Sequence, residues 1–447
     1  MLEFKEFDKV STPQWKLKIQ ADLKGKDYES LITHTPEGID IKPFYHFDDY
    51  KKFKNLSGQP FEILQELDLA NEKIANKIIS KALHKGADKI IINARKDFDM
   101  DILTDKLDFS RLIFRLDFLD AGFFIKLYHK TKGKTAILLN PLGHFIRTGN
   151  WYFNSKKDFE ILREIQMETA SDFPLIEVDG SHFHNAGANI VQQIAYSLSQ
   201  GVEYMERLGK PAASQMLFHT AIGRHYFFEI NKLKVLRYLW KLILDEYETK
   251  AGMHIRAIPG IRNKSLLSPY VNMLRTTMES MSAVLGGADS VINLPYDKIF
   301  KKSNPFSERI ARNQLIILNE EAGFQKAREA AKGSYFLEHT ATEMAAKSLE
   351  LFKNIEKGGG MIEQLMKGKI QEKTAESAAK EQEKFDKGEI VLVGVNKYFN
   401  EKEEIENPQI YPFMKKRKGK TLIPPVIARR LAEERERKIL QEKGIEI

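Results

Sequence analysis

The sequence predicts an α/β chain built on a (β/α)8 TIM barrel, and three observations carry that expectation. From about residue 70, short apolar runs that read as buried strands alternate with segments of helical spacing. The runs recur often enough to favour a closed parallel barrel over an open sheet. One of them, ending in Leu175-Ile176-Glu177, leads into Val178-Asp179-Gly180-Ser181-His182-Phe183-His184-Asn185-Ala186-Gly187-Ala188 and then a helix. A histidine leaving a strand on a short polar turn sits where α/β enzymes place their chemistry.

Residues 1–55 read as an N-terminal arm. Trp15, Leu17, Ile19, Leu23 and Tyr28 are apolar but separated by lysines and polar residues, which suits a segment lying across another surface. Glu37 to Tyr45 alternates apolar and polar residues and is interrupted by Pro43, so a short extended piece is expected. Glu72 to His84 is helical, with Ile74, Ile78, Ile79 and Leu83 on one face. Strand candidates follow at Lys89–Ala94, Leu112–Leu116, Thr135–Leu139, Leu175–Val178, Met216–Thr220, Met253–Ile258, Ser290–Leu294 and Ser334–Glu338. Ile222–Leu242 and Pro269–Leu285 are the prominent helices between them, and Phe123–Tyr128 reads as an extra strand. The barrel is thereby placed at 56–345.

Residues 346–447 read as a C-terminal extension of helices and linker. The helix Thr342–Ile355 leads to Gly358-Gly359-Gly360, a C-cap and turn. A Lys-, Glu- and Ala-rich helix at 362–386 precedes a strand at Glu389–Val395, a Pro424-Pro425 linker and a final charged helix.

Composition narrows the function classes. The chain has no cysteine, which excludes thiolate metal sites, disulfides and a cysteine nucleophile. No uncharged apolar run approaches the roughly 20 residues that span a bilayer, and the first residues carry no signal-peptide core, so a cytoplasmic protein is expected. Lys+Arg 70 against Asp+Glu 62 gives a net charge of +8. Much of the surplus lies around Lys415-Lys416-Arg417-Lys418-Gly419-Lys420 and Arg429-Arg430. No aromatic residues interleave with that run to stack on bases, so it reads as a solvated or partner-facing tail, not a nucleic-acid site.

Chemistry-bearing motifs are mostly absent from the sequence. There is no phosphate-binding P-loop, no dinucleotide fingerprint and no G-x-S-x-G elbow. His182 and His184, even with Asp179, make a poor metal set, since catalytic zinc needs three well-placed ligands. His182 is left as the candidate general acid.

Several stretches, in order, resemble the methylmalonyl-CoA mutase family, and its small (β) subunit in particular. Val178–Ala188 resembles the family's S-G-Y-H-M-Q-E-A-G-A. The run Arg275-Thr276-Thr277-Met278-Glu279-Ser280-Met281-Ser282-Ala283-Val284-Leu285-Gly286-Gly287 resembles R-T-T-x-E-A-M-A-A-V-L-G-G. Ser307–Asn313, Gly333–Glu338 and Val391–Tyr398 match further family segments, and Gln14–Lys24 with Glu37–Tyr45 fits the small-subunit start.

The resemblance implies a barrel whose axis is threaded by coenzyme A. It also implies interconversion of methylmalonyl-CoA and succinyl-CoA by a radical rearrangement that uses adenosylcobalamin. Departures from the pattern point to a subunit that does not run this chemistry itself. No histidine here has an aspartate two residues earlier, as the cobalt-ligating D-x-H-x-x-G requires, and the chain stops where the cobalamin domain would begin. Glu66 stands at the family's catalytic tyrosine and Leu64 at an arginine of the same segment. Ala257–Asn263 lacks the polar groups of the T-H-S-Q-T-S-G loop. Ser181 and Asn185 flank His182, which thus reads as a vestigial family position.

The resemblance therefore implies a non-catalytic small subunit that binds no cofactor and stabilises a large subunit holding adenosylcobalamin, with no nucleic-acid or membrane partner. Arg275 and Arg312 are its candidate substrate-binding residues. The alternative is a self-sufficient (β/α)8 acyl-CoA enzyme using His182 as general acid, without cobalamin.

Overall fold

Among the described residues, eight parallel strands close into one barrel: β1 Glu62–Asp68, β2 Lys89–Ala94, β3 Leu112–Leu116, β4 Ala136–Leu139, β5 Ile176–Asp179, β6 Met216–Ile222, β7 His254–Pro259 and β8 Ser290–Ile292. β8 pairs with both β1 and β7, which closes the ring. The structure is a computed structural model, and it describes residues 8–50, 52–54, 60–326, 329–405, 407–414 and 419–445. The boundary expected at 55 and the run Lys415–Lys418 lie outside the described residues.

Parallel strands covered by helices are buried on both faces, which is why β2 reads Ile90-Ile91-Ile92 without alternation. Side chains still alternate between axis and helix layer. Leu64, Ile91, Ile113, Leu138, Leu217 and Ile292 meet as one buried cluster on the axis, with Ala136 and Ile258 against them. Ile63, Ile90, Ile92 and Phe114 face outward into the main core. The barrel axis at this level is filled by branched side chains.

Four local expectations are corrected. Phe123–Tyr128 is no strand but part of the helix Ala121–Thr131, which Asp120 caps through the Phe123 amide at 2.9 Å. Ser334–Glu338 opens the helix Tyr335–Lys357, whose Leu337, Ala341 and Met344 recur at helical spacing and are buried. That helix packs on Ile190–Leu208 and Tyr226–Glu246. Glu389–Val395 forms no strand. Its Ile390, Leu392 and Val395 instead fill a small cluster with Phe385 and Leu440. On Glu72–His84 the buried face is Ala75, Ile79 and Ala82, while Ile74 and Ile78 are 61% and 41% exposed. β1 itself was not anticipated as a strand.

The arm has two parts. Its helix Thr12–Asp22 is held by a Ser11–Gln14 capping box and buries no residue. Trp15 is 47% exposed and touches only Phe44 among the described aromatic rings, at 5.6 Å. Further along, the arm docks on the barrel's own helices. Ile39 is buried, Tyr45 packs on Phe336 at 5.5 Å, and Asn189 Nδ2 donates to the Pro36 carbonyl at 3.1 Å.

The C-terminal extension crosses the face where the strands end. Backbone amides of Leu422 and Ile423 donate to Gly149 O, Val426 to Ile146 O, Arg429 to Asn185 O and Leu431 to Arg262 O, all at 2.9–3.1 Å. Gly149 has φ +79°, and a Cβ there would lie 2.4 Å from the Ile423 carbonyl oxygen, so this crossing requires glycine. The helix Lys369–Asp386 lies beside this strap, and a Cβ on Gly187 (φ +97°) would meet the Ala378 Cβ at 2.5 Å. Arg262 ties the two together through Glu381 and through the Arg429 carbonyl, at 2.8 Å to the latter. Among the described residues no helix is long and apolar enough to cross a membrane.

Candidate functional site

Carboxylates inside a buried strand need inward partners, and Glu177 and Asp179 of β5 find them in the barrel. Arg115 of β3 donates from Nε to Glu177 Oε2 at 2.7 Å and from Nη2 to Asp179 Oδ2 at 3.0 Å. It also lies 3.7 Å from Glu66 Oε1 on β1. Arg256 of β7 pairs with the other Glu177 oxygen, and its Nε reaches His219 Nδ1 at 3.1 Å. Glu66, Arg115, Glu177, Asp179, His219 and Arg256 thus form one ion-pair network above the apolar layer. Arg256, Glu177 and Asp179 are at most 1% exposed.

His182 stands at the end of this network. The strand stops at Asp179, whose Oδ1 accepts from the Ser181 amide at 2.8 Å and starts the short helix Ser181–Ala186. His182 Nε2 lies 3.2 Å from Asp179 Oδ2. Burial disfavours charge on Asp179, but His182, His219 and Arg115 outweigh it and hold the carboxyl well below its ordinary range. Burial pushes the His182 imidazole down, with Asp179 offsetting part of the effect. The neighbouring His184 is buried and is pushed well down by that burial, then by Lys232. His219 is pushed down to about 3 by burial and by Arg256.

A second histidine faces the same space. The helix Pro141–Thr148 carries His144 and Arg147, capped by Asn140, whose Oδ1 accepts from the Gly143 amide at 2.8 Å. Asp117, just past β3, accepts from Arg147 Nη2 at 2.6 Å and Tyr152 OH at 3.0 Å, and lies 3.3 Å from His144 Nδ1. Burial opposes its charge, yet His144, Arg147 and Tyr152 pull its pKa down to about 2. The His144 ring stacks on Tyr152 at 3.8 Å. A cavity of about 240 Å³ collects both histidine–aspartate pairs with Asp68, Asn93, Arg95, Arg115 and Asn140, at the carboxyl ends of β1 to β5. Two imidazoles oriented by carboxylates can exchange protons with a small bound molecule. Three arginines and four carboxylates leave the cavity without an excess of positive charge.

The two arginines expected to bind substrate lie elsewhere. Arg275, on the helix Val271–Leu285, donates to Asn272 Oδ1 at 2.7 Å and the Val393 carbonyl at 2.6 Å. Arg312, on Pro305–Ile316, donates to the Lys85 carbonyl at 2.9 Å and Gln65 Oε1 at 2.7 Å. Neither lines the cavity that holds His182. Sequence reasoning missed Arg115, Arg256, His219 and the Asp117–His144–Tyr152 group. A charged residue in the middle of an otherwise apolar strand, as at Arg115 and Arg256, was the available signal.

Three histidines, His184 and His219 buried and His182 half-buried, have pKa values depressed on folding and set an acid limit. Each of His182, His184 and His219 is neutral when folded and takes up a proton on unfolding below its ordinary value of 6.5. Stability is therefore complete above about pH 6.5 and falls as pH drops, by at most about 1.4 kcal/mol per pH unit for each histidine until its lowered folded pKa is reached. Asp179 adds to this below about pH 4, where the unfolded chain takes up the proton that the folded carboxylate still refuses. Denaturant midpoints between pH 8 and 4.5 should be flat at first and then fall. A flat profile throughout would contradict the burial of these imidazoles as neutral groups.

The model of the family described as methylmalonyl-CoA mutase matches residues 128–441. The methylmalonyl-CoA mutase small subunit of Porphyromonas gingivalis is 29% identical over 442 residues, covering 89% of this chain and 71% of that protein. The methylmalonyl-CoA mutase of Cereibacter sphaeroides is 28% identical over 463 residues, covering 87% of this chain and 64% of that protein. The mitochondrial methylmalonyl-CoA mutase of Bos taurus is 29% identical over 459 residues, covering 88% of this chain and 61% of its own length. The chain thus spans less than two thirds of the latter two proteins. With a closed (β/α)8 barrel and a family match over most of its length, the chain belongs to the methylmalonyl-CoA mutase family.

Proposed function

We propose that this chain is the small, non-catalytic subunit of a heterodimeric adenosylcobalamin-dependent methylmalonyl-CoA mutase, and that it stabilises the catalytic large subunit. The observation that carries this reading is the filled barrel axis. Leu64, Ile91, Ile113, Leu138, Leu217 and Ile292 occupy the path a threaded acyl-CoA chain would need. Above them, the ion pairs of Arg115 and Arg256 with Glu177 occupy the next level. Glu66 and Leu64, at the positions where the family carries a tyrosine and an arginine, belong to that filling: Glu66 faces Arg115 and Leu64 the apolar layer.

The residues present do not fit a corrinoid. The mouth cavity of about 240 Å³ suits a small molecule only, and the 422–431 strap and the helix Lys369–Asp386 cover the adjoining face. Cobalamin is therefore assigned to the partner. In the arm, the exposed helix Thr12–Asp22 with Trp15 and Leu17 is the segment that would wrap the large subunit. Co-expression with a mutase large subunit should give a 1:1 complex by size-exclusion chromatography with light scattering, and deleting residues 1–26 should weaken it at least tenfold. Separate elution of two intact, folded chains would sink the proposal.

A further inference from the structure

A cavity of about 740 Å³ lies outside the barrel between the helices Glu72–His84 and Pro305–Ile316. Gln65 forms its floor, because it points outward from β1 between the inward Leu64 and Glu66. Lys77, Lys81 and Lys85 line one wall at fourfold spacing, which stacks them along one helix face. Arg309 and Arg312 line the other wall. Among the described residues none of these five cations is in an ion pair, and Glu308 is the one acid in the lining. Burial pushes the Glu308 carboxyl up, and Ser303 Oγ donates to it at 2.9 Å.

Two facing rows of like charge repel, and an anion between them would relieve that repulsion. Arg312 is only 9% exposed, yet its Nη2 makes no hydrogen bond among the described residues. A buried guanidinium with an unused donor on a cavity wall is suited to a phosphate oxygen. At the rim, Phe306 is 52% exposed beneath the Arg309 guanidinium, at 5.5 Å, and Ile78 is 41% exposed. These supply a flat apolar surface beside the charged slot, and the volume is that of a small-molecule site.

We propose that this groove binds a nucleoside polyphosphate, with the phosphates between the cationic rows and the base against Phe306. The site lies outside the barrel and shares no lining residue with the mouth cavity, so it stands or falls separately from the subunit assignment.

Calorimetric titration of the full chain with ATP at low salt tests it. The expected result is saturable binding at one site, weakened at least tenfold by Lys81→Glu or Arg309→Glu and weakened by added salt. Phe306→Ala should weaken ATP several-fold while leaving inorganic tripolyphosphate unchanged. Displacement of ATP by GTP or by coenzyme A supports the site and tells which phosphorylated nucleoside it prefers. The three replaced side chains are exposed, so the variants should keep the parent's melting temperature. Absence of saturable ATP binding, binding unaltered in both charge-reversal variants, or equal sensitivity of ATP and tripolyphosphate to Phe306→Ala would overturn the proposal.

Discussion

Replacing Arg115 with alanine is expected to destabilise the chain by about 3–5 kcal/mol, the cost of stripping one partner from a buried ion pair. The guanidinium lies between three carboxylates, and it donates to Glu177 at 2.7 Å and Asp179 at 3.0 Å through different nitrogens. Without it, Glu177 keeps Arg256, but Asp179, 0% exposed, is left with the Ser181 amide, the His182 ring and the nearby His219. Folded domains are stable by about 5–15 kcal/mol, so this single change would consume a large share. Arg115→Lys should recover only part of the loss, because an ammonium cannot hold two carboxylates in a fixed fork. Adding Asp179→Asn to Arg115→Ala should also recover part of it, by removing an unpaired charge. Urea denaturation at pH 7 measures all three. A loss below about 1 kcal/mol for Arg115→Ala would mean that water, not Arg115, solvates those carboxylates.

Arg430→Ala is expected to release the C-terminal strap, at a similar cost of about 3–5 kcal/mol for the region it holds. Arg430 is 2% exposed and meets Glu436 with two nitrogens, at 2.7 and 2.6 Å. Its remaining donors reach the Lys264 carbonyl at 3.0 Å and the Pro412 carbonyl at 2.9 Å. Glu436 in turn accepts from Ser265 Oγ at 2.7 Å and the Leu266 amide at 3.1 Å. One ion pair therefore locks the helix Glu433–Glu442 to the loop after β7. Its loss should act locally: amides of Val426 and Leu431 should exchange at least a hundredfold faster, while those of β2 and β3 stay protected. Uniform loss of protection would show that the strap and barrel unfold as one unit, and unchanged protection at Val426 and Leu431 would remove Arg430 from the lock.

The barrel was legible where a strand is almost wholly apolar, as in Lys89–Ala94 and in Met216–Thr220, which the structure extends to Ile222. β1 was missed because Glu-Ile-Leu-Gln-Glu-Leu-Asp looks half-solvated, and its inward Glu66 is explained only by Arg115, remote in sequence. Ser334–Glu338 looked like a strand because of its aromatics. They serve the arm instead, with Tyr335 against Tyr50 at 5.1 Å and Phe336 against Tyr45 at 5.5 Å. In Glu389–Val395, β-branched residues are recruited by a hydrophobic cluster, overriding their strand preference. Part of the basic tail is likewise not solvated, since Arg430 is among the most buried charges near the chain's end. At the site, His182 could be found from its position after a strand. Its cavity partners His144, Asp117 and Tyr152 come from other strand ends, and local spacing does not reveal such long-range groupings.

We propose that this barrel fills its own axis and leaves catalysis to a partner. The most direct test is mutase turnover of methylmalonyl-CoA, with added adenosylcobalamin, by the purified chain alone and by the chain co-purified with a large subunit. The expected result is no turnover above the blank for the chain alone and turnover for the complex. Turnover by the isolated chain would contradict it.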